Sequence, residues 1–352
     1  MVQSNPILGT FLHAIGGVSA SSCYTPQSKL KNWSWGTFWL VQAFFAWLLV
    51  PLLAGWLTVP GFFGILQSAP SSVFWGAFLL GALYGFGGMA FGLSIKHIGY
   101  SLTYTIAIGI SAVLGTLTPL VLYGGLGDYF TRPGSGLIII GMLISVGGVG
   151  MCGWAGFKKE NDLKKLAGQS GSFKMSAGLI LAVFAGVLSA VFNLSLEHGQ
   201  PIADMAAKNG AGNFEGNAKM IVSTSGCFVV NFIWFVVLGL KQKTLKEFTV
   251  SEGLSRSRIL KNMLWSALAG TLWFVQFLFY GLGHVQMGNY RFISWVLHMS
   301  MLIFFSFGIG LIMKEWKNVS KNTYTTLLLA LLTLVISFVV MTVGSYLGEQ
   351  VK

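Results

Sequence analysis

The sequence predicts an all-α integral membrane protein whose ten transmembrane helices form two inverted five-helix repeats. Three observations lead there. Of 352 residues, 54% are hydrophobic and 9% charged, a balance outside the range of water-soluble globules. Apolar runs of about 20 residues, enough for a helix to cross hydrocarbon, recur along the chain. One of them also repeats: GALYGFGGMAFGLSIKHIG (81–99) aligns without gaps on GTLWFVQFLFYGLGHVQMG (270–288), pairing Gly81 with Gly270, Tyr84 with Trp273, Phe91 with Tyr280 and Gly99 with Gly288. The offset covers five runs, an odd number, so the second copy crosses the membrane in the opposite direction.

The spans are predicted near 6–23, 36–58, 72–94, 100–123, 135–155, 175–197, 218–239, 260–282, 290–313 and 324–347. The first opens on MVQSNPILGTFLHAIGG, which lacks the positive start and cleavage site of a secretory signal, so it is expected to stay in the mature chain. It carries His13 ahead of GGVSASS, thin side chains that leave room for a ligand or a neighbouring helix. The second is entered through Trp33 and Trp35, which with Trp316 read as interface anchors. In the third, Gly81 with Gly85 and Gly88 with Gly92 stand four apart, a spacing that lets helix backbones approach closely in lipid. Glycine supplies 46 residues, about twice its usual share. The fifth runs into the basic stretch 158–174, containing KKENDLKK and GQSGS, read as a cytoplasmic linker between a first repeat (1–157) and a second (175–352). The fourth, seventh and tenth rest on apolar length alone, and the sixth, eighth and ninth carry the polar residues considered next.

Of the 22 Lys and Arg, 17 fall on the odd-numbered connections. Positive loops stay in the cytoplasm, so both termini are expected outside. The same placement accounts for the net charge of +12 without nucleic acid, which is rejected as a partner. Cys23, Cys152 and Cys227 form no C-x-x-C pair and read as small membrane residues.

A polar side chain inside a span costs free energy unless it finds a partner or a water-filled cavity, so polar residues there are expected to share faces. On the ninth span Arg291, Ser294, Trp295 and His298 make one stripe at 3.6 residues per turn. On the eighth, Trp273, Gln276, Tyr280 and His284 make another. On the sixth, Ser189, Asn193 and Glu197 stand at i, i+4 spacing. Together they suit a sugar, whose hydroxyls match amide, imidazole and hydroxyl groups and whose apolar face stacks on an aromatic ring. The expected substrate contacts are Asn193, Trp273, Gln276, Tyr280, Trp295 and His298. The bland alternative is that these groups join helices, with Tyr290 and His284 merely interfacial.

Coupling to an ion needs a titratable group, for which the candidates are His13, Glu197, His298 and Arg291. Glu197 and Arg291 both fall at outer ends and are expected to pair, which leaves His13 or His298 to carry the proton; alternatively Arg291 snorkels to the surface. No cofactor is expected beyond the coupling proton, sodium being the other ion the sequence leaves open. There is no G-x-x-x-x-G-K-[ST], H-E-x-x-H or G-x-S-x-G pattern, so neither an ATP motor, a metalloenzyme nor a nucleophilic hydrolase is indicated. A membrane transferase using His298 as base lacks a carboxylate partner and a substrate motif.

FLFYGLGHVQMGNYRFISWVLHMSMLIFFSFGIGLIMKEWKN (277–318) is similar to the L-rhamnose/proton symporter family, whose pattern has an FFYxxGH segment, a YxxISWxLHMS core and a KEW ending. HAIGGVSASSCYTPQSKLKNWSWGTFW (13–39) resembles the family's first helix and KxWSW entry, and AIGISAVLGTL (107–117) continues the likeness. The resemblance implies the ten-helix drug/metabolite transporter superfamily and proton-driven uptake of a deoxy-hexose such as L-rhamnose across a bacterial inner membrane. One position departs from it: where the family's pattern has an acidic residue before ISW, this chain has Arg291. The other reading within the superfamily is an exporter or exchanger of an amino acid, metabolite or sugar phosphate, with Arg291 binding an anionic group.

Overall fold

A computed structural model describes residues 4–124, 126–167, 175–251 and 254–351. The elements are helices: α1 (Pro6–Ser22), α2 (Trp35–Thr58), α3 (Ser71–Ile98), α4 (Tyr100–Leu122), α5 (Ser135–Ala167), α6 (Met175–His198), α7 (Gly216–Gln242), α8 (Arg256–Gln286), α9 (Ser294–Ile312) and α10 (Lys321–Gln350). Among the described residues nine helices are long and apolar enough to cross a membrane. The tenth expected span, α1, has 17 residues, about 25 Å at 1.5 Å per residue, and falls just short of that length. Large apolar side chains such as Leu79, Leu143 and Ile180 lie at least 60% exposed, the surface that a hydrocarbon solvent covers without cost.

Sequence explains several boundaries. Ser34 caps α2 and Ser320 caps α10, each hydroxyl accepting from the backbone N–H three residues on, Thr37 and Thr323, at 3.3 Å. Within α2 the turn Phe45–Leu49 is a π turn, where Val50 N–H bonds to Phe45 O; Pro51, with no N–H, cannot continue the regular ladder. α3 ends at Gly99 (φ 80) and α8 at Gly288 (φ 57), left-handed positions that favour glycine.

Two expectations need correcting. The basic stretch from residue 158 is not a loop from its start: α5 continues through Ala167, and residues 168–174 of the expected linker lie outside the described residues. The extension is helical because it docks on the start of α10, with Asp162 accepting from Ser320 N–H at 2.9 Å and Thr323 Oγ1 at 2.6 Å, and Lys158 donating to Thr326 at 3.0 Å. The stripe on the ninth span is also shorter than expected. Arg291 sits in a 3-10 turn, Gly288–Ile293, bent at Tyr290, and α9 begins only at Ser294.

The chain forms two compact units, each drawing on both halves of the sequence. The first comprises Met1–Val18, Gly87–Leu194 and Leu282–Lys352; the second comprises Ser19–Phe86 and Ser195–Gly281. In the first, α5 packs along α10 and α4 along α9. Gly17 of α1 faces Met301 and Phe305 of α9, while Gly186 of α6 faces Ala107 and Ile110 of α4. In the second, α2 and α7 pack together. Asn231 of α7 accepts from Trp39 Nε1 at 2.9 Å and donates to Gly85 O at 3.0 Å. Gly81 lies against the Ser223 carbonyl of α7, and Gly270 against the Gln42 carbonyl of α2; a Cβ at either site would collide with that backbone.

Candidate functional site

In the first unit, Ser294, Trp295 and His298 share one face of α9 and are fully buried. Gly115 on α4 makes the seat for Trp295, since a Cβ there would strike the indole nitrogen. Trp295 Nε1 donates to Ser111 O at 2.9 Å, with Ser111 Oγ at 3.2 Å. Ser111 in turn donates to Ser189 Oγ at 2.9 Å, and Asn193 Nδ2 donates to Gly115 O at 2.8 Å. One hydrogen-bonded chain therefore joins α4, α6 and α9. The donor nitrogens of Asn193 and Trp295 serve this joint, the helix-joining alternative the sequence left open.

Beside it, the rings of His13 and His298 meet edge-on with centroids 5.7 Å apart. Both are fully buried. Gly283 lets them fit, because a Cβ there would stand 2.9 Å from the His13 ring. Two imidazolium charges at that separation would repel by about 3 kcal/mol at an effective dielectric of 20, which disfavours charging both rings at once. Ser294 Oγ and Thr116 Oγ1 are buried with no hydrogen-bond partner among the described residues, and such orphans mark places where a water, ion or ligand hydroxyl belongs.

In the second unit, Trp273, Gln276 and Tyr280 follow one another up a buried face of α8. Trp273 is surrounded by aromatic rings, Trp47 at 5.4 Å and edge-on, Tyr84 at 6.3 Å and stacked, and Phe277 at 4.9 Å. Glu197, at the last turn of α6, is half-buried, as is Arg291; the two belong to different units. Sequence reasoning missed Ser111 and Thr116, and also Gln42 and Trp47, whose buried Oε1 and Nε1 lack partners among the described residues. Gln42 carried a legible signal as the one amide in the apolar run FWLVQAFFAWLLV.

The first unit is tied at both ends. At one, Lys159 Nζ pairs with Glu315 Oε2 at 2.9 Å, reaches Ser101 Oγ at 3.3 Å and lies 5.1 Å over the Trp316 ring. At the other, Glu349 accepts from Asn289 N–H at 2.7 Å and Ser4 Oγ at 2.8 Å, Arg132 donates to Asn289 O, and Tyr290 donates to Pro133 O. Between them an open apolar groove of about 620 Å³ runs along α4, α5 and α9 past Leu114, Val146, Val149 and Val296, a lining suited to an acyl chain and not to a polyol. Among the described residues no three His, Cys, Asp or Glu gather as metal ligands.

Comparison with known sequences finds a match along nearly the whole chain. The sequence profile of the family described as L-rhamnose-proton symport protein (RhaT) matches residues 2–347. The chain is 33% identical over 340 residues to an L-rhamnose-proton symporter of Pectobacterium atrosepticum, covering 95% of this chain and 97% of that one. It is 32% identical over 345 residues to the protein of the same name in an Escherichia coli strain, covering 97% and 99%. A third, from Mannheimia succiniciproducens, is 32% identical over 333 residues, covering 94% and 96%.

Proposed function

We infer the function of this chain from the fact that it belongs to the L-rhamnose-proton symport protein family. It is a transporter and not an enzyme, and it takes up a deoxy-hexose such as L-rhamnose together with a proton. The observation that carries this reading is the match from end to end, residues 2–347, to a family of that activity.

In this reading the chain is a multi-pass protein of the bacterial inner membrane with both termini outside, and a member of the drug/metabolite transporter superfamily. Ten spans form two inverted halves, 1–157 and 175–352, whose rocking opens the site to either side in turn. What supports the halves is how the aligned residues behave. Gly81 and Gly270 each abut the backbone of a helix from the opposite half, Gly99 and Gly288 both adopt positive φ, and Tyr84 stacks on its counterpart Trp273. Residues on a two-fold axis meet their own equivalents in this way.

The sugar contacts are Trp273, Gln276, Tyr280, His298 and, through atoms other than the donor nitrogens that join the helices, Asn193 and Trp295; the coupling groups are His13, His298, Glu197 and Arg291. The closeness of the two buried imidazoles supports a shared proton site, a single proton bridging or alternating between them as the sugar binds and leaves. Uptake into proteoliposomes tests the scheme. Labelled L-rhamnose should enter faster when an inward proton gradient is imposed; uptake indifferent to the gradient and dependent on unlabelled sugar inside would identify an exchanger.

A further inference from the structure

Gln42 and Trp47, both on α2, are each 3% exposed, and neither Gln42 Oε1 nor Trp47 Nε1 has a hydrogen-bond partner among the described residues. A buried acceptor and a buried donor left open within five residues of one helix are uncommon, since each loses its water for nothing in return. The backbone around them is unusual as well. Trp47 lies in the middle of the π turn Phe45–Leu49, a wide turn that is rare in helices and frequent at functional sites. Gly270 brings α8 against this turn: a Cβ there would collide with Gln42 O, and it would stand 2.8 Å from Phe45 Cβ and 3.0 Å from Ala46 N. One turn further along α8, Trp273 meets the Trp47 ring edge-on at 5.4 Å, with Tyr84 stacked on its face.

The opposite half supplies a contrast. Where Gly270 meets Gln42, the aligned Gly81 meets Ser223 of α7, and the Ser223 hydroxyl is taken by Ser195 at 2.7 Å. The polar group at one of these two matching crossings is satisfied by protein, and the polar group at the other is left open.

We propose that Gln42 and Trp47 form a sugar subsite in the second unit, in which Gln42 Oε1 accepts a hydrogen bond from one ring hydroxyl and Trp47 Nε1 donates to the oxygen of another. The ring face of the same sugar lies among Trp273 and Tyr84. Aromatic surface for the C–H face and one directed donor and acceptor for the hydroxyls are the elements by which proteins hold uncharged pyranoses. The inference rests on the reading of this chain as a deoxy-hexose transporter, and adds which residues of the second unit the sugar meets.

The test uses full-length purified protein in detergent, with Gln42→Met, Trp47→Phe and, as a control on the exposed apolar surface, Trp75→Phe. L-rhamnose binding is measured by calorimetry and the melting temperature is measured without sugar. Gln42→Met and Trp47→Phe should each weaken binding about tenfold, about 1.4 kcal/mol, while the sugar-free melting temperature of Gln42→Met, which keeps the side-chain volume, stays level or rises, because an orphaned polar atom has been removed. Trp75→Phe should change neither. Wild-type affinity in both site variants would overturn the subsite and leave the transport reading standing. A fall in the melting temperature of Gln42→Met that tracks its loss of binding would overturn it in favour of a packing role. A wild-type protein that binds no L-rhamnose would sink the transport reading itself and the subsite's ligand with it.

Discussion

Breaking the Lys159–Glu315 ion pair from its two sides should cost unequal amounts. At 2.9 Å the two charges attract by about 6 kcal/mol at an effective dielectric of 20, and desolvation takes back several kcal/mol of that. What a single substitution costs is then set by the charge left behind. The lysine side chain is 6% exposed and the glutamate side chain 27%. Glu315→Leu strands an ammonium that water barely reaches, held by Ser101 Oγ and the Trp316 ring, and should cost about 3 kcal/mol. Lys159→Met leaves a carboxylate that reaches water and keeps the Ser101 hydroxyl at 3.4 Å, and should cost about 1 kcal/mol. The double variant should fall near Lys159→Met, giving a coupling of about 3 kcal/mol. Reversible unfolding of the purified protein in mixed micelles, followed by circular dichroism, measures all four states. Equal costs for the two single variants, or a double variant that is their sum, would refute the reasoning.

Other substitutions address the site and the turns. His298→Ala should still exchange labelled for unlabelled sugar but lose at least tenfold of its acceleration by an inward proton gradient; normal transport at every pH would remove His298 from the coupling scheme. Gly115→Val should push the Trp295 indole off Ser111 and cost about 1–3 kcal/mol as overpacking, read as a lower melting temperature, and an unchanged melting curve would mean that α4 and α9 yield freely there. Gly99→Ala, at φ 80 and ψ 169, should cost about 1–3 kcal/mol because that region is essentially glycine's. Gly288→Ala should cost more, since its Cβ would also stand 2.6 Å from Ser4 Cβ; the reverse order in chemical unfolding would contradict this.

The helices were legible because hydrocarbon imposes one rule everywhere, about 20 apolar residues per crossing. Their ends were less so. KKENDLKK looks like a loop by charge, yet it stays helical because Asp162 caps α10 and Lys158 reaches Thr326, long-range contacts that no local pattern announces. Arg291 joined the His298 stripe because the period was carried backwards past Ser294, the start of α9, into the 3-10 turn that opens at Gly288 with its positive φ. The closeness of His13 and His298 was not legible, since nearly the whole chain separates them. Asn193 and Trp295 were found by pattern, but the pattern does not tell a group that holds a ligand from one that holds a neighbouring helix. Gln42 and Trp47 went unassigned for the opposite reason: aromatic residues around one amide read as apolar span, and only the packing of Gly270 on α2 reveals that their polar atoms have been left open.

The central claim is that sugar and proton cross together, and the proton can be watched directly. Proteoliposomes in weakly buffered medium, with no gradient imposed, receive a pulse of L-rhamnose while external pH is recorded. Symport predicts a transient alkalinisation outside as protons follow the sugar in, abolished by a protonophore and missing in His298→Ala. Labelled sugar entering at an undiminished rate with no movement of external pH would contradict the account.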